Sequence, residues 1–216
     1  MTRLVHSRIV NALTFARVPL IAAWAALAVW HELARPPDGA GCSATAAAAC
    51  AAMLFSGLTD LWDGALARRW GVVTTLGKMA DPLMDKIFYI VAFPVILWLS
   101  LRQDPRGVHG MVLLAFTVLY VLRDTWVTFL RMVGAMYGAD VAAAWLGKVR
   151  TALSFPGAGW VYMYLAFGRA APESWRGPWL ASCYAFEALL IVLTVWSLVS
   201  YTAAYMPYMK KALERK

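Results

Sequence analysis

Six long apolar stretches limit what this chain can fold into. Each contains about 20 or more mainly apolar residues, the length at which an α-helix crosses the hydrocarbon core of a bilayer. They run from about residue 9 to 34, 44 to 69, 77 to 101, 110 to 133, 141 to 168 and 178 to 207. The connections between them are short and contain helix breakers such as Pro36-Pro37. The pattern predicts an all-α, polytopic membrane protein, with six transmembrane helices that form a single membrane domain over residues 1–216.

Composition excludes the main alternatives to a membrane protein. Hydrophobic residues make up 62% of the chain and charged residues 15%, and the mean hydropathy is +0.61. A soluble domain is usually about half apolar and about a quarter charged, so this chain would lack the polar surface to cover itself in water. Intrinsic disorder is excluded by the same composition. The three cysteines and three histidines follow no disulfide or zinc-binding pattern.

The basic residues predict how the helices are oriented. With six spans, both termini lie on one side of the membrane, and that side collects most of the basic residues, from Arg3 and Arg8 to Lys210 and Lys211. By the positive-inside rule, we expect both termini in the cytoplasm, where the basic face would attract anionic lipid headgroups. We do not expect nucleic acid as a partner, because the charge is spread over helix ends and no soluble domain presents it.

Four aspartates stand out, because ionisable residues inside membrane spans are costly and usually functional. Asp60 and Asp63 lie at the expected cytoplasmic end of the second helix, and Asp81 and Asp85 at the start of the third. Within each pair, the spacing of three or four residues puts both side chains on one helix face. If the two helices form a hairpin with its turn near Gly71, the four carboxylates converge at one depth.

Four carboxylates in one confined site repel each other unless some are protonated or a cation compensates them. All-oxygen ligands favour Mg, Mn or Ca, and two ions that share carboxylates are a recurrent arrangement for displacement at phosphorus. Beside the acids, Gly64 and Ala67 leave room for a ligand, and Arg68 adds a fixed cation. The simpler alternative is a set of helix-terminal acids at the membrane interface. A membrane transporter is the alternative functional class, because intramembrane acids also line transport pathways.

The aspartates belong to a longer pattern, D-x2-D-G-x2-A-R-x8-G-x3-D-x3-D, which is filled at every fixed position from Asp60 to Asp85. This pattern resembles the signature of the CDP-alcohol phosphotransferase family. The resemblance implies the family's six-helix membrane fold and a metal-dependent transferase of phospholipid biosynthesis. Such an enzyme moves a phosphatidyl group from a CDP-linked lipid, CDP-diacylglycerol, to an alcohol and releases CMP. A transporter has no need for this arrangement of residues.

The resemblance also assigns roles to individual residues. Asp60 and Asp81 would contact both of two Mg²⁺ or Mn²⁺ ions. Asp63 would hold one ion, and Asp85 would hold the other and act as the general base. With Asp60, the residues expected to bind the CDP-lipid are Asn11, Thr14, Arg17, Gly64, Ala67, Arg68 and Thr74, of which the first three resemble the N-x-x-T-x-x-R segment that opens these enzymes. We expect a homodimer, as the family implies, in the bacterial cytoplasmic (inner) membrane, with the active site on the cytoplasmic side.

Basic residues near the cytoplasmic ends of the fourth and fifth helices are candidates for the acceptor site. They are Arg123, Arg131, Lys148 and Arg150. Cations inside a membrane suit an acceptor that already carries a phosphate. Glycerol-3-phosphate fits best and would give phosphatidylglycerophosphate, while inositol phosphate, and phosphatidylglycerol as in cardiolipin synthesis, are the alternatives. Residues 81–86 and 146–151 resemble segments of synthases that act on such acceptors. Glu187, in the middle of the sixth stretch, has no partner that the sequence identifies.

Overall fold

The computed structural model describes residues 2–35, 44–72, 74–138 and 145–214, and for residues 2, 75, 76, 78, 79, 81, 82, 146 and 148 it describes only the backbone. Six α-helices make up almost all of the described chain. They are α1 (Thr2–Ala34), α2 (Ala44–Trp70), α3 (Thr75–Gln103), α4 (Val108–Met136), α5 (Trp145–Phe167) and α6 (Glu173–Glu214). The described ranges contain no β-strand, and the predicted all-α fold is confirmed.

The helices agree with the predicted spans but extend further at several ends. α1 begins at Thr2 rather than near residue 9, and α6 runs from Glu173 to Glu214 rather than from about 178 to 207. Hydropathy identifies only the part of a helix that lies in lipid, whereas Arg, Lys, Glu and Ala readily continue a helix into water. α6 is therefore about 63 Å long, roughly twice the hydrocarbon thickness of a bilayer. The predicted start of α5, at 141–144, lies outside the described residues.

Five of the six helices are long and apolar enough to cross a membrane, so the chain is an integral membrane protein. The qualifying stretches are Arg3–Ala34, Ala44–Trp70, Leu83–Gln103, Val108–Met136 and Glu173–Glu214. Within the described residues, α5 is not among these stretches, and its described part contains Arg, Lys, Trp, Tyr, Gly and Pro residues. This composition is tolerated because much of α5 is buried among the other helices, including Ala158, Val161, Tyr162 and Leu165.

The packing of the helices differs from a simple row of sequential hairpins. α1 packs against both α2 and α3, while the described parts of α2 and α3 make little direct contact with each other. α4 packs against α6 and α3, and α5 packs against α6, α3 and α2. The expected hairpin, in which α2 would pack directly against α3, is therefore corrected, because the described parts of these helices both pack against α1 instead. α1 packs closely with both of the helices that carry the aspartates, so its own side chains can join the two acidic pairs.

The turn between α2 and α3 follows from the local sequence. Gly71 has a φ of 62°, a left-handed conformation that glycine adopts without strain. Its N–H donates to Arg68 O at 3.4 Å, and the N–H of Val72 donates to Ala67 O at 3.1 Å, which is the hydrogen-bond pattern of a Schellman helix end. Thr74 then caps α3, because its Oγ1 accepts from the backbone N–H three residues further on. These local contacts end α2 at Trp70 and begin α3 at Thr75, a few residues from the aspartates of each helix.

Glu187 has a partner that the sequence did not identify. His109 Nε2 lies 2.7 Å from Glu187 Oε1, and both residues are buried. His109 is at the start of α4 and Glu187 is in the middle of α6, so the contact joins the two helices away from the aspartates. At the same end of the bundle, Arg35 Nη2 donates to Ala166 O at 2.7 Å and satisfies a carbonyl in the last turn of α5.

Candidate active site

Three of the four aspartates meet at one guanidinium. Arg17 Nη2 lies 2.6 Å from Asp60 Oδ1 and 3.0 Å from Asp63 Oδ2. Arg17 Nη1 lies 3.3 Å from Asp85 Oδ1. The side chains of Arg17 and Asp63 are almost completely buried, whereas those of Asp60 and Asp85 are 47% and 43% exposed. Arg17 of α1 therefore compensates one inner carboxylate and two outer carboxylates, and it links α2 to α3.

Two further polar contacts fix the first part of α1 against the acids. Thr14 Oγ1 donates to Asp63 Oδ2 at 2.7 Å. Thr74 Oγ1, at the start of α3, donates to Asn11 Oδ1 at 3.0 Å. Asn11, Thr14 and Arg17 belong to one sequence segment that was predicted to lie near the nucleotide. The structure brings Thr14 and Arg17 onto the aspartates and Asn11 onto Thr74.

Asp81 lies within α3, but its side chain is outside what the structure describes, so the convergence of all four aspartates stays a prediction. Among the described side chains, no three His, Cys, Asp or Glu residues are arranged as a ready metal site. The Arg17 guanidinium stands between the three carboxylates that are described. The donors nevertheless fit a hard divalent cation in their chemistry, because they are all carboxylate oxygens.

Gly64 leaves room for the side chain of Arg68, one turn further along α2. A Cβ at position 64 would lie 3.3 Å from Arg68 Nη1, closer than an unstrained contact. The exposed guanidinium of Arg68 therefore folds back towards the helical turn that carries Asp60 and Asp63. Ala67 lies half-buried beside it. This arrangement leaves a cation beside the aspartates that a phosphate oxygen can reach.

A cavity of about 900 Å³ connects the aspartates with the predicted acceptor site. The charged residues on its walls are Arg17, Asp60 and Asp85 from the acidic group and Arg123, Arg131 and Arg150 from the basic group, together with Lys86 and Asp124. Apolar residues of α2 and α5, such as Leu54, Leu58 and Phe155, line the wall between them. The remaining described residues of the expected CDP site lie outside this lining: Asn11, Thr14, Gly64, Ala67, Arg68 and Thr74. The side chain of Lys148 is outside the described residues.

The carboxylate of Asp124 links two arginines of the basic wall, which is the part of the cavity lining formed by Arg123, Arg131 and Arg150. Arg123 Nη1 and Arg150 Nη2 lie 3.0 Å and 2.8 Å from Asp124 Oδ1. Both arginines are buried, at 6% and 2% exposed. Nε of Arg123, and Nε and Nη1 of Arg150, have no hydrogen-bond partner among the described residues. Buried donors without a partner are costly, so this wall is suited to a ligand that brings several acceptor oxygens.

Sequence reasoning missed several side chains that support this wall. The Arg150 guanidinium lies 4.1 Å from the centroid of the Tyr120 ring, and Lys86 Nζ donates to Thr128 at 3.0 Å. α6, which carried no specific signal, contributes Ser197 and Tyr201. In the sequence, these two residues are four positions apart, which places them on one face of the helix but does not show what that face contacts. Tyrosines near helix ends are also common membrane-interface anchors, so that spacing alone did not identify them.

Comparison with known proteins identifies the family. The sequence model of the CDP-alcohol phosphatidyltransferase family matches residues 8–205, so the chain belongs to this family and is an enzyme of this class. A relative from Escherichia coli (strain K12) is 29% identical over 161 residues, which cover 71% of this chain and 77% of the relative. A relative from Yersinia enterocolitica is 31% identical over 155 residues, which cover 70% and 74%. Both relatives are named CDP-diacylglycerol–glycerol-3-phosphate 3-phosphatidyltransferase. The family that the aspartate signature predicted is confirmed.

Proposed function

We propose that this enzyme transfers the phosphatidyl group of CDP-diacylglycerol to glycerol-3-phosphate, giving phosphatidylglycerophosphate and CMP. The observation that carries the proposal is the single cavity with Asp60 and Asp85 in one part and three arginines in another. Such a cavity can hold a reacting pyrophosphate beside the acids and the phosphate of the acceptor beside the arginines. The names of the two relatives support the same reaction.

The chemical step is a direct displacement at phosphorus. Asp85, whose carboxylate is 43% exposed and lines the cavity, takes the proton of the acceptor hydroxyl as attack begins. The hydroxyl oxygen forms a bond to the lipid-side phosphorus of the pyrophosphate. The bond from that phosphorus to the bridging oxygen breaks, and CMP leaves with the electron pair. Arg68 binds the pyrophosphate and offsets the charge that develops on CMP. This reaction needs no covalent enzyme intermediate.

The proposal includes two Mg²⁺ or Mn²⁺ ions as cofactors. Asp60, Asp63, Asp81 and Asp85 would hold them. When bound, the ions would supply positive charge that neutralises the pyrophosphate oxygens. Support comes from the all-carboxylate donor set and from the convergence of three of these carboxylates on one guanidinium. In this role, Arg17 is the internal cation that keeps the carboxylates compensated when no metal ion is bound.

The choice of acceptor follows from the charges on the basic wall. The basic part of the lining carries Arg123, Arg131, Arg150 and Lys86 against one carboxylate, that of Asp124, which leaves an excess of positive charge for a ligand. A phosphate monoester carries up to two negative charges and three terminal oxygens, and it matches several guanidinium donors at once. The phosphodiester of phosphatidylglycerol has fewer charges and fewer free oxygens, so it is the weaker match. Inositol phosphate has the same charge as glycerol-3-phosphate and differs in size.

The reaction also has a proposed location. One substrate is a lipid and the other dissolves in water, so the site must open at a membrane surface. The excess of Lys and Arg at the helix ends nearest the aspartates supports a cytoplasmic position for both termini. Bacterial relatives support the cytoplasmic membrane of a bacterium. We also propose a homodimer, on the basis of the family.

The direct test is a CMP-release assay with purified protein in lipid nanodiscs and CDP-diacylglycerol. The acceptor panel contains glycerol-3-phosphate, inositol phosphate, phosphatidylglycerol and glycerol, each with Mg²⁺, with Mn²⁺ and with EDTA. We expect release with glycerol-3-phosphate and either ion, and none with EDTA. Release with another acceptor alone would replace glycerol-3-phosphate in the proposal. Absence of release with every acceptor would reject the enzyme function and favour transport.

A point variant tests the general base. Asp85→Asn keeps the size of the side chain but removes the basic carboxylate, so turnover should fall by about 100-fold or more in a protein that remains folded. Glu173→Gln, at the start of α6 and at the other end of the bundle, is the matched control and should retain wild-type turnover. Full activity of Asp85→Asn would exclude the proposed role of Asp85.

A further inference from the structure

α6 places two polar side chains against the arginines of the basic wall, and one of them, Tyr201, also lines the cavity. Tyr201 is 3% exposed and Ser197 is fully buried. Arg131 Nη2 donates to the hydroxyl of Tyr201 at 3.0 Å, and Arg123 Nη2 donates to the hydroxyl of Ser197. Both arginines belong to α4, so these contacts connect α4 to α6 at the place where the acceptor phosphate is expected.

The ring of Tyr201 lies against both guanidiniums at once. The Arg123 and Arg131 guanidinium carbons are 5.2 Å and 5.4 Å from its centroid, within the range of a cation–π contact. Gly147 of α5 allows this close packing, because a Cβ there would lie 3.4 Å from both Arg123 Nη2 and Tyr201 Cε2. Two like charges on long side chains would otherwise separate and sample many rotamers. The shared ring keeps them side by side.

We infer that Tyr201 is a positioning residue that holds Arg123 and Arg131 for the phosphate of the acceptor, and that it thereby sets the preference for a phosphorylated alcohol. This inference rests on the proposed function. A forked pair of guanidiniums recognises a phosphate only when both planes are fixed relative to each other. Tyr201 fixes one by a hydrogen bond and both by its ring, whereas a simple packing role would not require contact with both cations.

The experiment compares three variants in the CMP-release assay. Tyr201→Phe removes the hydrogen bond to Arg131 and keeps the ring, while Tyr201→Leu removes both. Tyr205→Phe is the matched control, because Tyr205 is a buried tyrosine one turn away on the same helix that stacks on Tyr201 but is not part of the cavity lining. The readouts are kcat, the KM for glycerol-3-phosphate and the KM for CDP-diacylglycerol.

The expected result is a selective loss of acceptor binding. Tyr201→Phe should raise the KM for glycerol-3-phosphate by about tenfold, the effect of one lost charge-assisted hydrogen bond. Tyr201→Leu should raise it further, and the preference for glycerol-3-phosphate over glycerol should fall in parallel. The KM for CDP-diacylglycerol and the kcat should change by less than about twofold, because loss of uniform binding raises the KM of the affected substrate and leaves kcat unchanged. Tyr205→Phe should match the wild type.

A second measurement separates this inference from the proposed function. Inorganic phosphate should raise the unfolding temperature of the wild-type protein more than that of Tyr201→Phe, and this shift needs no turnover. If the wild type prefers inositol phosphate, the same KM comparison is made with that acceptor and still tests Tyr201. An unchanged acceptor KM in Tyr201→Leu would overturn the inference. A lower kcat together with a higher KM for both substrates, seen in the Tyr201 variants and in Tyr205→Phe alike, would also overturn the inference and indicate a structural role. If Tyr201→Leu does not fold, the KM for the acceptor is compared in Tyr201→Phe and Ser197→Ala instead, and an unchanged value in both would overturn the inference.

Discussion

Removing the cation between the aspartates gives the sharpest prediction for the active site. The substitution Arg17→Met keeps an unbranched apolar stem and deletes the guanidinium that contacts Asp60, Asp63 and Asp85. Breaking a buried ion pair from one side costs about 3–5 kcal/mol, whereas an exposed pair contributes about 0–1 kcal/mol. Asp63 is 5% exposed and the other two side chains are nearly half exposed, so Asp63 dominates the loss.

We expect the free energy of unfolding to fall by about 4 kcal/mol in Arg17→Met. For a domain of this size, 1 kcal/mol changes the unfolding temperature by about 2–4 °C, so the expected decrease is about 8–16 °C. A divalent cation should offset this loss, because Arg17 no longer competes for the carboxylates. At about 100 times its dissociation constant, Mg²⁺ would restore about 2.7 kcal/mol. The assay is thermal unfolding in detergent, followed by tryptophan fluorescence across a Mg²⁺ titration.

Arg35→Met is the matched control for this experiment. Arg35 also forms a buried ion pair, with Glu32 at 3.5 Å and both side chains 7% exposed, but it lies at the other end of the bundle. It should lower the unfolding temperature in a similar way, without any added response to Mg²⁺. The reasoning is refuted if Arg17→Met unfolds at the wild-type temperature. It is also refuted if Mg²⁺ stabilises the wild type, Arg17→Met and Arg35→Met equally.

Two further substitutions test other parts of the molecule. Gly64→Val should displace the guanidinium of Arg68, because a Cβ at position 64 would already lie 3.3 Å from it. The KM for CDP-diacylglycerol should rise by about tenfold, as for one lost charged contact. In an Arg68→Ala background, Gly64→Val should have no further effect on this KM, and additive effects of the two substitutions would contradict the link. Glu187→Ala should remove the buried contact with His109 and leave the imidazole without this partner. The free energy of unfolding, measured by thermal unfolding, should fall by about 2 kcal/mol, while both KM values stay unchanged. A changed KM would mean that the pair serves the active site.

Much of the fold could be predicted because it depends on local patterns. Long apolar stretches give the helices, and Gly71 and Thr74 give a turn whose hydrogen bonds are local. The aspartates could be found because their spacing defines a face of one helix. The ends of α1 and α6 could not be predicted, since polar residues continue those helices into water where hydropathy gives no signal.

The contacts between helices were the part that the sequence did not determine. Spacing shows which residues share a face, but it does not show which helix that face meets. Arg17 was therefore predicted to lie near the nucleotide, but its contacts with Asp60, Asp63 and Asp85 were not predicted. Tyr201 was missed for the same reason, and the partner of Glu187 is 78 residues away in the sequence. Each of these depends on packing that only the assembled bundle provides.

The two parts of the cavity share one electrostatic design. The described carboxylates of the acidic part surround a single arginine, Arg17, and two of the three arginines of the basic part, Arg123 and Arg150, contact a single aspartate, Asp124. Like charges held together inside a membrane bundle would destabilise it without such a counter-charge. Yet each counter-charge is incomplete, because one guanidinium cannot neutralise three carboxylates and one carboxylate cannot neutralise three guanidiniums. The remaining negative charge suits a divalent cation and a proton, and the remaining positive charge suits a phosphate. The arrangement therefore keeps the bundle stable before substrates arrive and leaves each part of the cavity charged for the ligand it is proposed to bind.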